Sequence, residues 1–445
     1  MTNTEKNIAP VRVIGAGLAG CEAAWTLAQQ GILVELYEMK PDQYTPAHKY
    51  QGFAELICSN SLKASRIGSA AGMLKEEMRM LGSLTMEAAA ETSVSAGGAL
   101  AVDREKFSDY ITEKITSHPN IKIIHERVDT IPEGRTIIAS GPLTEHHLAD
   151  SIKELCTEQY LSFFDAAAPI VTFDSIDQSK VFFAARYDRG DADYINCPMD
   201  KEQYETFYEA LVGAKRVELH DFEKKELTVY EGCMPVEIMA QRGADTLRYG
   251  PLKPVGLRDP ATGHRPWAVV QLRKENREGS MYNLVGFQTN LLFPEQKRVF
   301  SLIPGLENAQ FVRYGVMHRN TFLNSPKLLT SAFSMKKRPE LYFAGQMTGV
   351  EGYIESAASG ILAGKNMARS ILGKEPLLLP ADCMLGALSR YISDESIQDF
   401  QPMGSNMGIL PPWEERIKDK SLRYEKIAER GLTHLKEYLA EAEAE

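Results

Sequence analysis

The sequence has no cysteine pair at metal-binding spacing, no long apolar run and no excess of positive charge. Its six cysteines are scattered, without a C-x-x-C pair or a cysteine–histidine cluster, which excludes the usual zinc and iron–sulfur motifs. No stretch approaches the roughly 18 apolar residues of a membrane-spanning helix, and the opening MTNTEKNIAP lacks a signal-peptide core. The formal net charge of −10 excludes a general cationic surface for nucleic acid. We therefore expect a cytoplasmic protein with free thiols, no metal and no membrane partner.

The first thirty residues after the N-terminus carry a nucleotide-binding pattern. A short apolar strand, 11–14, leads into a glycine turn, a helix that Gly31 closes, and a second strand over 32–38. The turn consists of Gly15, Ala16, Gly17, Leu18, Ala19 and Gly20. In a G-x-G-x-x-G turn the glycines allow a tight bend, a close approach of the backbone to a pyrophosphate, and close helix–strand packing. Glu38 ends the second strand, where a carboxylate can accept hydrogen bonds from ribose hydroxyls, so FAD or NAD is favoured over NADP.

Two later segments favour FAD over NAD. An apolar strand over 136–140 ends at Gly141, where the chain can re-enter a nucleotide fold. A second strand at 341–345 leads into a loop with Gly345, Gly349 and Gly352 and then into a helix over 354–371. Small residues at that helix start allow a flavin to approach the backbone. Each segment alone could be core packing, but together and in this order they indicate a two-segment flavoprotein.

The order of these segments predicts the domain organisation. The fold class is α/β, with a Rossmann-like two-segment FAD-binding domain and an inserted α+β domain. The FAD-binding domain comprises residues 1–142 and 331–375, the insert 143–330, and a C-terminal helical tail 376–445. Patterning further predicts helices near 69–90, 106–117, 200–213 and 413–445, and strands at 121–131, 169–173, 181–185, 267–272 and 282–287.

Ordered blocks along the chain resemble the folate- and FAD-dependent tRNA (uracil-5-)-methyltransferases (TrmFO), relatives of the larger MnmG/GidA flavoproteins. The resemblance runs from about residue 11 to about residue 369, and MnmG carries an additional C-terminal domain that this length disfavours. The blocks include GAGLAGCEAAW (15–25), YEMKP (37–41), AELICSNSLK (54–63), AGGALAVDR (96–104), EGCMPVE (231–237), YGVMHRNTF (314–322) and FAGQMTGVEGYIESAASG (343–360). The resemblance implies methylation of C5 of uridine 54 in the tRNA T loop. The carbon would come from 5,10-methylenetetrahydrofolate, and NAD(P)H would reduce the FAD.

Uracil C5 becomes nucleophilic when a thiolate adds to C6, so the chemistry requires a cysteine. Spacing alone makes each of the six an inert buried thiol more often than a reactive one. The resemblance singles out Cys58 and Cys233, which both fall in family blocks. We assign Cys233 as the nucleophile at C6 and Cys58 as the group that assists proton removal from C5; the reverse assignment stays open.

Contact with RNA must be local because the chain is acidic. Most basic side chains are simply solvated, and His318 as a platform for a base or pterin competes with an ordinary structural role. Candidate substrate contacts are Arg273, His318, Arg319 and Asn320. Further candidate cationic positions are Lys253, Arg258, Arg265, Lys274, Arg277, Arg313, Lys336, Lys337 and Arg338.

Three other functions remain compatible with the sequence. The same chemistry could act on ribosomal RNA, since the motifs would be shared. A plain FAD-dependent NAD(P)H oxidoreductase would need neither cysteine and would not bind RNA. A non-catalytic RNA-binding flavoprotein would bind RNA without transferring carbon. The sequence leaves the oligomeric state and the choice between NADH and NADPH open.

Overall fold

The fold is described from a computed structural model of the chain. It describes residues 9–45, 47–144, 146–156, 160–166, 168–188, 192–217, 234–276, 278–315, 317–398 and 400–444. Within these ranges the α-helices are Leu18–Gln29, Ala70–Met80, Leu84–Glu91, Arg104–Ser117, His146–Cys156, Lys201–Val212, Val236–Gln241, Thr246–Tyr249, Phe293–Phe300, Ser325–Leu328, Tyr353–Leu372, Met384–Tyr391 and Lys420–Ala444.

A six-stranded sheet joins segments from the two ends of the chain. Its strands, in spatial order, are Ser334–Met335, Arg338–Phe343, Thr136–Ile138, Val11–Ile14, Val34–Glu38 and Ile121–His125. All neighbours are parallel except the first pair. The late strand Arg338–Phe343 therefore pairs with Thr136–Ile138 from the first segment, which confirms the Rossmann-like, two-segment fold class.

A second sheet belongs to the middle of the chain and has its own core. Its strands, in spatial order, are Phe182–Phe183, Tyr194–Met199, Ala268–Lys274, Met281–Leu284, Ile170–Thr172 and Phe311–Arg313. All of its pairs are antiparallel. Buried side chains between Val171 and Ala309 pack around helix Lys201–Val212 and form the insert core. The α+β character of the insert is confirmed, whereas the boundaries at 143 and 330 stay a prediction.

Two smaller β-structures connect these parts. An antiparallel ribbon pairs Tyr160–Ala166 with Met317–Leu323, close to the ends of the insert. A three-stranded sheet combines Ser61–Ala64, Ala99–Val102 and Ser93–Val94. It follows the loop that holds Cys58, so this sheet fixes the position of that loop.

Several predicted elements are shorter or more broken than the patterning suggested. The helix expected near 69–90 is two helices, because Gly82 takes a left-handed conformation (φ +82°) and Ser83 caps the next helix through the Met86 amide. The strand expected at 121–131 ends at His125, and that at 181–185 spans only Phe182–Phe183. The tail helix starts at Lys420 rather than near 413, since Asp419 accepts the Leu422 amide and caps it.

The C-terminal tail packs against the core around the parallel sheet, the main core. Ile427, Ala428 and Leu435 of its last helix are buried there, and a Cβ on Gly431 would meet the Asp382 carbonyl at 2.3 Å. The tail is therefore an integral layer of the main core. In the part of the chain described, no helix is both long and apolar enough to cross a membrane.

Candidate active site

A cavity of about 500 Å³ opens at the carboxyl ends of the parallel strands, where α/β sheets bind nucleotides. Its walls combine the glycine turn, the end of strand Val34–Glu38, the Cys58 loop (residues 55–60) and the start of helix Tyr353–Leu372. The volume lies within the range of cofactor sites, roughly 300–1,000 Å³.

The glycine turn has little room for side chains but leaves one open space. Gly15 takes φ +98°, and a Cβ there would meet the Ala139 carbonyl at 2.7 Å. A Cβ on Gly20 would meet the Gly15 carbonyl at 1.8 Å, whereas nothing lies within 4 Å of a Cβ on Gly17. Gly17 is the N-cap of helix Leu18–Gln29 and has no side-chain cap. The helix N-terminus therefore presents backbone N–H groups to an empty space suited to a phosphate.

Glu38 lies where the ribose contact was predicted. Its side chain is nearly buried and borders the cavity. The carboxylate accepts the Ala16 amide at 2.9 Å and the Lys40 amide at 3.0 Å, one on each oxygen. Because a carboxylate can accept about four hydrogen bonds, each oxygen can still accept one from a ligand hydroxyl.

The return segment supplies the opposite wall. Gly141 (φ +80°), Gly345 (φ +87°) and Gly352 (φ +122°) are left-handed and border the cavity, and the Gly345 amide donates to Ser359 Oγ at 2.7 Å. Gly20 and Gly349 do not border it. Gly349 leaves room for the Phe400 ring, which a Cβ would meet at 2.4 Å.

Among the cysteines that the structure describes, Cys58 is the one that borders the cavity. Its Sγ lies 3.0 Å from the hydroxyl oxygen of Tyr353. That oxygen also accepts the backbone N–H of Cys58 at 2.7 Å and that of Ser59 at 3.3 Å. With its acceptor positions used by two amides, the hydroxyl has its proton available for the sulfur. A donor on sulfur favours the thiolate form.

The other described cysteines are poor nucleophiles. Cys21, Cys156, Cys197 and Cys383 are buried and free. Burial raises the pKa of all four thiols, that of Cys156 to about 11. Cys233, our predicted nucleophile, lies outside the described residues.

Two guanidinium groups hold the Cys58 loop rather than facing solvent. Arg104 donates to the Leu56 and Ile57 carbonyls at 2.7 and 3.0 Å and pairs with Glu275 of the insert at 2.6 Å. Arg273 was a candidate RNA contact. Instead it is buried (7% exposed), and it donates to Ser59 Oγ at 2.7 Å and Asn60 Oδ1 at 3.0 Å. Its role here is to join the insert to the loop.

The remaining candidate RNA contacts differ in exposure and pairing. Lys337 is exposed, and Lys253, Lys274 and Arg313 are partly exposed. Lys336 pairs with Glu395 and Arg338 with Glu340, so neither is a free cation. Arg258 and Arg265 are exposed. Arg277 lies outside the described residues, as do the side chains of His318, Arg319 and Asn320, whose backbone pairs with Asp165, Phe164 and Phe163.

Sequence reasoning missed three residues at the site. Tyr353 touches Cys58, Arg104 holds the loop, and Lys63 borders the cavity with φ +64° and pairs with buried Glu355 at 2.6 Å. All three lie in blocks that carry the family resemblance. They are close to Cys58 or to the cavity only in the folded chain, and local sequence patterns do not show this proximity.

These residues fit an adenine dinucleotide with a flavin. The open helix N-terminus suits the pyrophosphate, and the spare acceptors of Glu38 suit the ribose. The left-handed glycine before helix Tyr353–Leu372 leaves backbone N–H groups uncapped by any side chain. Such an end would stabilise negative charge on a bound flavin.

Known proteins similar to this chain were found by sequence and by structure. The glucose inhibited division protein A family matches residues 10–375. A methylenetetrahydrofolate–tRNA-(uracil-5-)-methyltransferase TrmFO of Acetivibrio thermocellus is 59% identical over 97% of this chain and 98% of its own. The Lactiplantibacillus plantarum protein of that name is 58% identical over 96% and 97%. GidA of Aquifex aeolicus superimposes with a TM-score of 0.67 at 18% identity, over 97% of this chain and 75% of its own.

Proposed function

The chain belongs to the glucose inhibited division protein A family and, within it, to the methylenetetrahydrofolate–tRNA-(uracil-5-)-methyltransferases, and from this we propose its reaction in detail. It methylates C5 of uridine 54 in the T loop of tRNA. The carbon comes from 5,10-methylenetetrahydrofolate, and the electrons come from NAD(P)H. FAD would be held by the glycine turn and Glu38, and it would supply the redox chemistry and the carrier for the carbon.

The observation that carries this proposal is the position of Cys58. The thiol borders the cofactor cavity and contacts Tyr353, at the N-terminus of the helix that closes that cavity. A sulfur there can act on a pyrimidine placed beside a flavin. A plain oxidoreductase has no need for a hydrogen-bonded thiol at this point.

In the proposed division of labour, Cys233 adds to C6 and Cys58 takes the C5 proton. Addition forms an S–C6 bond, and the C5=C6 electron pair moves toward the C4 carbonyl. After the carbon has bonded to C5, loss of the C5 proton breaks the bond between the carbon and its carrier and leaves a methylene group on C5. A hydride whose electrons come from NAD(P)H completes the methyl group, and the S–C6 bond breaks as the C5=C6 bond forms again. The hydrogen bond from Tyr353 supports Cys58 because it stabilises the thiolate that accepts this proton. The target uridine must leave its stack to reach the thiol.

Further assignments are part of the proposal. The glycine turn and Glu38 hold the dinucleotide, and residues 143–330 form the domain that meets folate and RNA. The tail, 376–445, completes the FAD-binding domain. The enzyme works in the cytoplasm, where its tRNA and folate substrates occur.

A carbon-transfer assay tests the reaction. Purified protein is incubated with unmodified tRNA transcript, NADPH and methylenetetrahydrofolate labelled on the methylene carbon, and the digested nucleosides are separated. We expect label in 5-methyluridine from the T loop, lost in Cys58→Ala and Cys233→Ala but retained in Cys156→Ala, a buried thiol away from the cavity.

Each alternative function has its own outcome in that assay. Label in ribosomal RNA but not in tRNA would move the substrate to the larger RNA. NADPH consumption without label in either RNA would leave a plain flavin oxidoreductase. RNA binding with neither label nor NADPH consumption would indicate a non-catalytic protein.

A further inference from the structure

One row of residues crosses the insert sheet toward the Cys58 loop. Arg273, Asn283, Ile170 and Arg313 are register partners on four neighbouring antiparallel strands. Register partners project to the same face of a sheet, and Arg273 reaches Ser59 and Asn60 from this face. Arg313 therefore belongs to the face that looks at the Cys58 loop.

A bulge places Arg313 in this row. Phe311 pairs with Val171 and Arg313 with Ile170, with a register shift between them. Without the shift, Val312 would be opposite Ile170, and Arg313 would project to the other face. Bulges are typical of positions where a strand re-aims a functional side chain.

The two guanidinium groups that contact the Cys58 loop already have partners. Arg104 donates hydrogen bonds to Glu275 and to two backbone carbonyls. Arg273 donates hydrogen bonds to Ser59 and Asn60. Arg313 is only partly exposed, and no residue of the described ranges forms a hydrogen bond or ion pair with it. A half-buried cation without an anionic partner is costly unless a ligand supplies one.

The electrostatics around Arg313 agree with this placement. Burial lowers the pKa of Arg313, and the positive charge of Arg104 lowers it further, whereas Tyr353, Cys58 and Glu275 oppose the shift. The guanidinium thus lies within electrostatic reach of the thiol and its tyrosine.

A second donor in the same row also lacks a partner among the described residues. Asn283 is 2% exposed, and its Nδ2 makes no hydrogen bond within the ranges the structure describes. Arg313 and Asn283 therefore offer N–H groups to an acceptor that none of the described residues provides.

The cofactor is a poor occupant for this place. Cys58 borders the cofactor cavity, but Arg313 is not among the residues that line it. Arg313 approaches the thiol from the insert, and the flavin site lies on the side of helix Tyr353–Leu372. The group bound between Arg313 and the thiol is therefore the one on which the sulfur acts.

We propose that Arg313 is a catalytic residue that donates hydrogen bonds to a carbonyl oxygen of the reacting uracil, with Asn283 as an auxiliary donor. This inference rests on the proposed function. When the Cys233 sulfur adds to C6, its lone pair forms the S–C6 bond and the C5=C6 pair shifts to give an enolate at O4. Arg313 stabilises that oxygen while it is negative, and the charge leaves it when C5 attacks the one-carbon electrophile.

Steady-state kinetics of two variants test the assignment. Arg313→Gln removes the charge and Arg313→Lys keeps it without the planar fork. Arg298→Gln is the matched control, since Arg298 is an exposed arginine of the insert that pairs with Glu295. We expect Arg313→Gln to lower kcat at saturating tRNA by about 100- to 1,000-fold, and Arg313→Lys to recover part of this. FAD content, folate KM and tRNA Kd should stay within about twofold of the wild type.

Other outcomes would overturn the assignment. A weaker tRNA Kd with unchanged kcat would make Arg313 a phosphate contact, and loss of FAD or a raised folate KM would place it on those ligands. If Arg313→Gln does not fold, Arg313→Lys decides, since a folded lysine variant with wild-type kcat also overturns the proposal. A wild-type enzyme that transfers no carbon to RNA would instead refute the proposed function.

Discussion

At the scale of single residues, the contact between Cys58 and Tyr353 is the feature with the most direct functional consequence. Tyr353→Phe keeps the ring and removes the hydroxyl that lies 3.0 Å from the sulfur. We expect the methylation rate to fall about tenfold, the size of one hydrogen bond to a charged group. The pH midpoint for alkylation of Cys58, followed by peptide mass spectrometry, should rise because the thiolate loses its donor.

The control for this variant is another tyrosine whose hydroxyl is bonded within the insert. Tyr208 donates to the Ala240 carbonyl at 3.1 Å, so Tyr208→Phe loses a similar hydrogen bond without touching the thiol. An unchanged alkylation profile in Tyr353→Phe would show that the hydroxyl does not influence Cys58.

The sequence could predict the glycines and Glu38 because their function depends on spacing within one strand–turn–helix unit. It could not predict that Tyr353 meets Cys58, since 295 residues separate them. Nor could it predict that Arg273 is buried. The sequence shows only an arginine in a polar context. The fold shows that this guanidinium already donates hydrogen bonds to Ser59 and Asn60.

At the scale of an element, two glycines of the glycine turn have different roles: Gly17 leaves space for the cofactor, and Gly20 allows close packing. A Cβ on Gly20 would collide with the Gly15 carbonyl, whereas a Cβ on Gly17 would meet no protein atom within 4 Å. We expect Gly20→Ala to lower the melting temperature of the apoprotein. Gly17→Ala should leave it unchanged and weaken FAD binding at least tenfold, because the methyl group occupies the phosphate space.

Fluorescence titration with FAD and thermal unfolding of both apoproteins give the two readouts. Gly98→Ala serves as the control, since its Cβ also points into open space, outside the turn. Unchanged FAD affinity in Gly17→Ala would mean that no phosphate lies against this helix N-terminus.

Helix Met384–Tyr391 is held by a buried carboxyl group whose titration should be visible. Glu77 accepts the Met384 and Leu385 amides at 2.6 and 2.8 Å, and burial raises its pKa to about 7. Between the unfolded value near 4.5 and pH 7, the folded state binds the extra proton. The contribution of Glu77 to stability is therefore fully present below about pH 4.5 and declines as pH rises to 7.

The comparison with Glu77→Gln isolates this effect. The free energy of unfolding of the wild type, minus that of the variant, should fall by about 2 kcal/mol or somewhat more between pH 5 and pH 8. Urea unfolding at the two pH values measures it. A difference that does not change with pH would show that Glu77 titrates normally.

Elements were predicted well where one local pattern decides them. The strands and helix of the first nucleotide-binding unit, and the return strand and helix, follow from apolar periodicity and glycines. The break at Gly82 and the late start of the tail helix depend on single capping residues, Ser83 and Asp419. Periodicity continues across such caps, so the sequence indicated longer helices than the protein has.

At the scale of the whole molecule, Arg104 and Glu275 join the insert to the parallel-sheet domain. Their side chains are 15% and 2% exposed, so removing one partner leaves a poorly solvated charge. We expect Glu275→Gln to lower the free energy of unfolding by about 3 kcal/mol and to reduce methylation, because the Cys58 loop loses its clamp. The exposed pair of Lys201 and Glu205 is the control, and Glu205→Gln should cost less than about 1 kcal/mol.

The loop that precedes the tail helix also determines when, during synthesis, the protein can acquire its cofactor. The Met403 amide and carbonyl bond to Gly349 and Glu351 at 2.9 Å each, and Ser405 donates to buried Glu355. The cavity wall formed by the return segment is thus held in place by residues that are synthesised after about nine-tenths of the chain. A chain whose synthesis stops within the insert contains the glycine turn but lacks the return segment that forms the opposite wall of the cavity. Cofactor loading should therefore be a late event in biosynthesis, and yellow colour in a preparation should report chains that were finished.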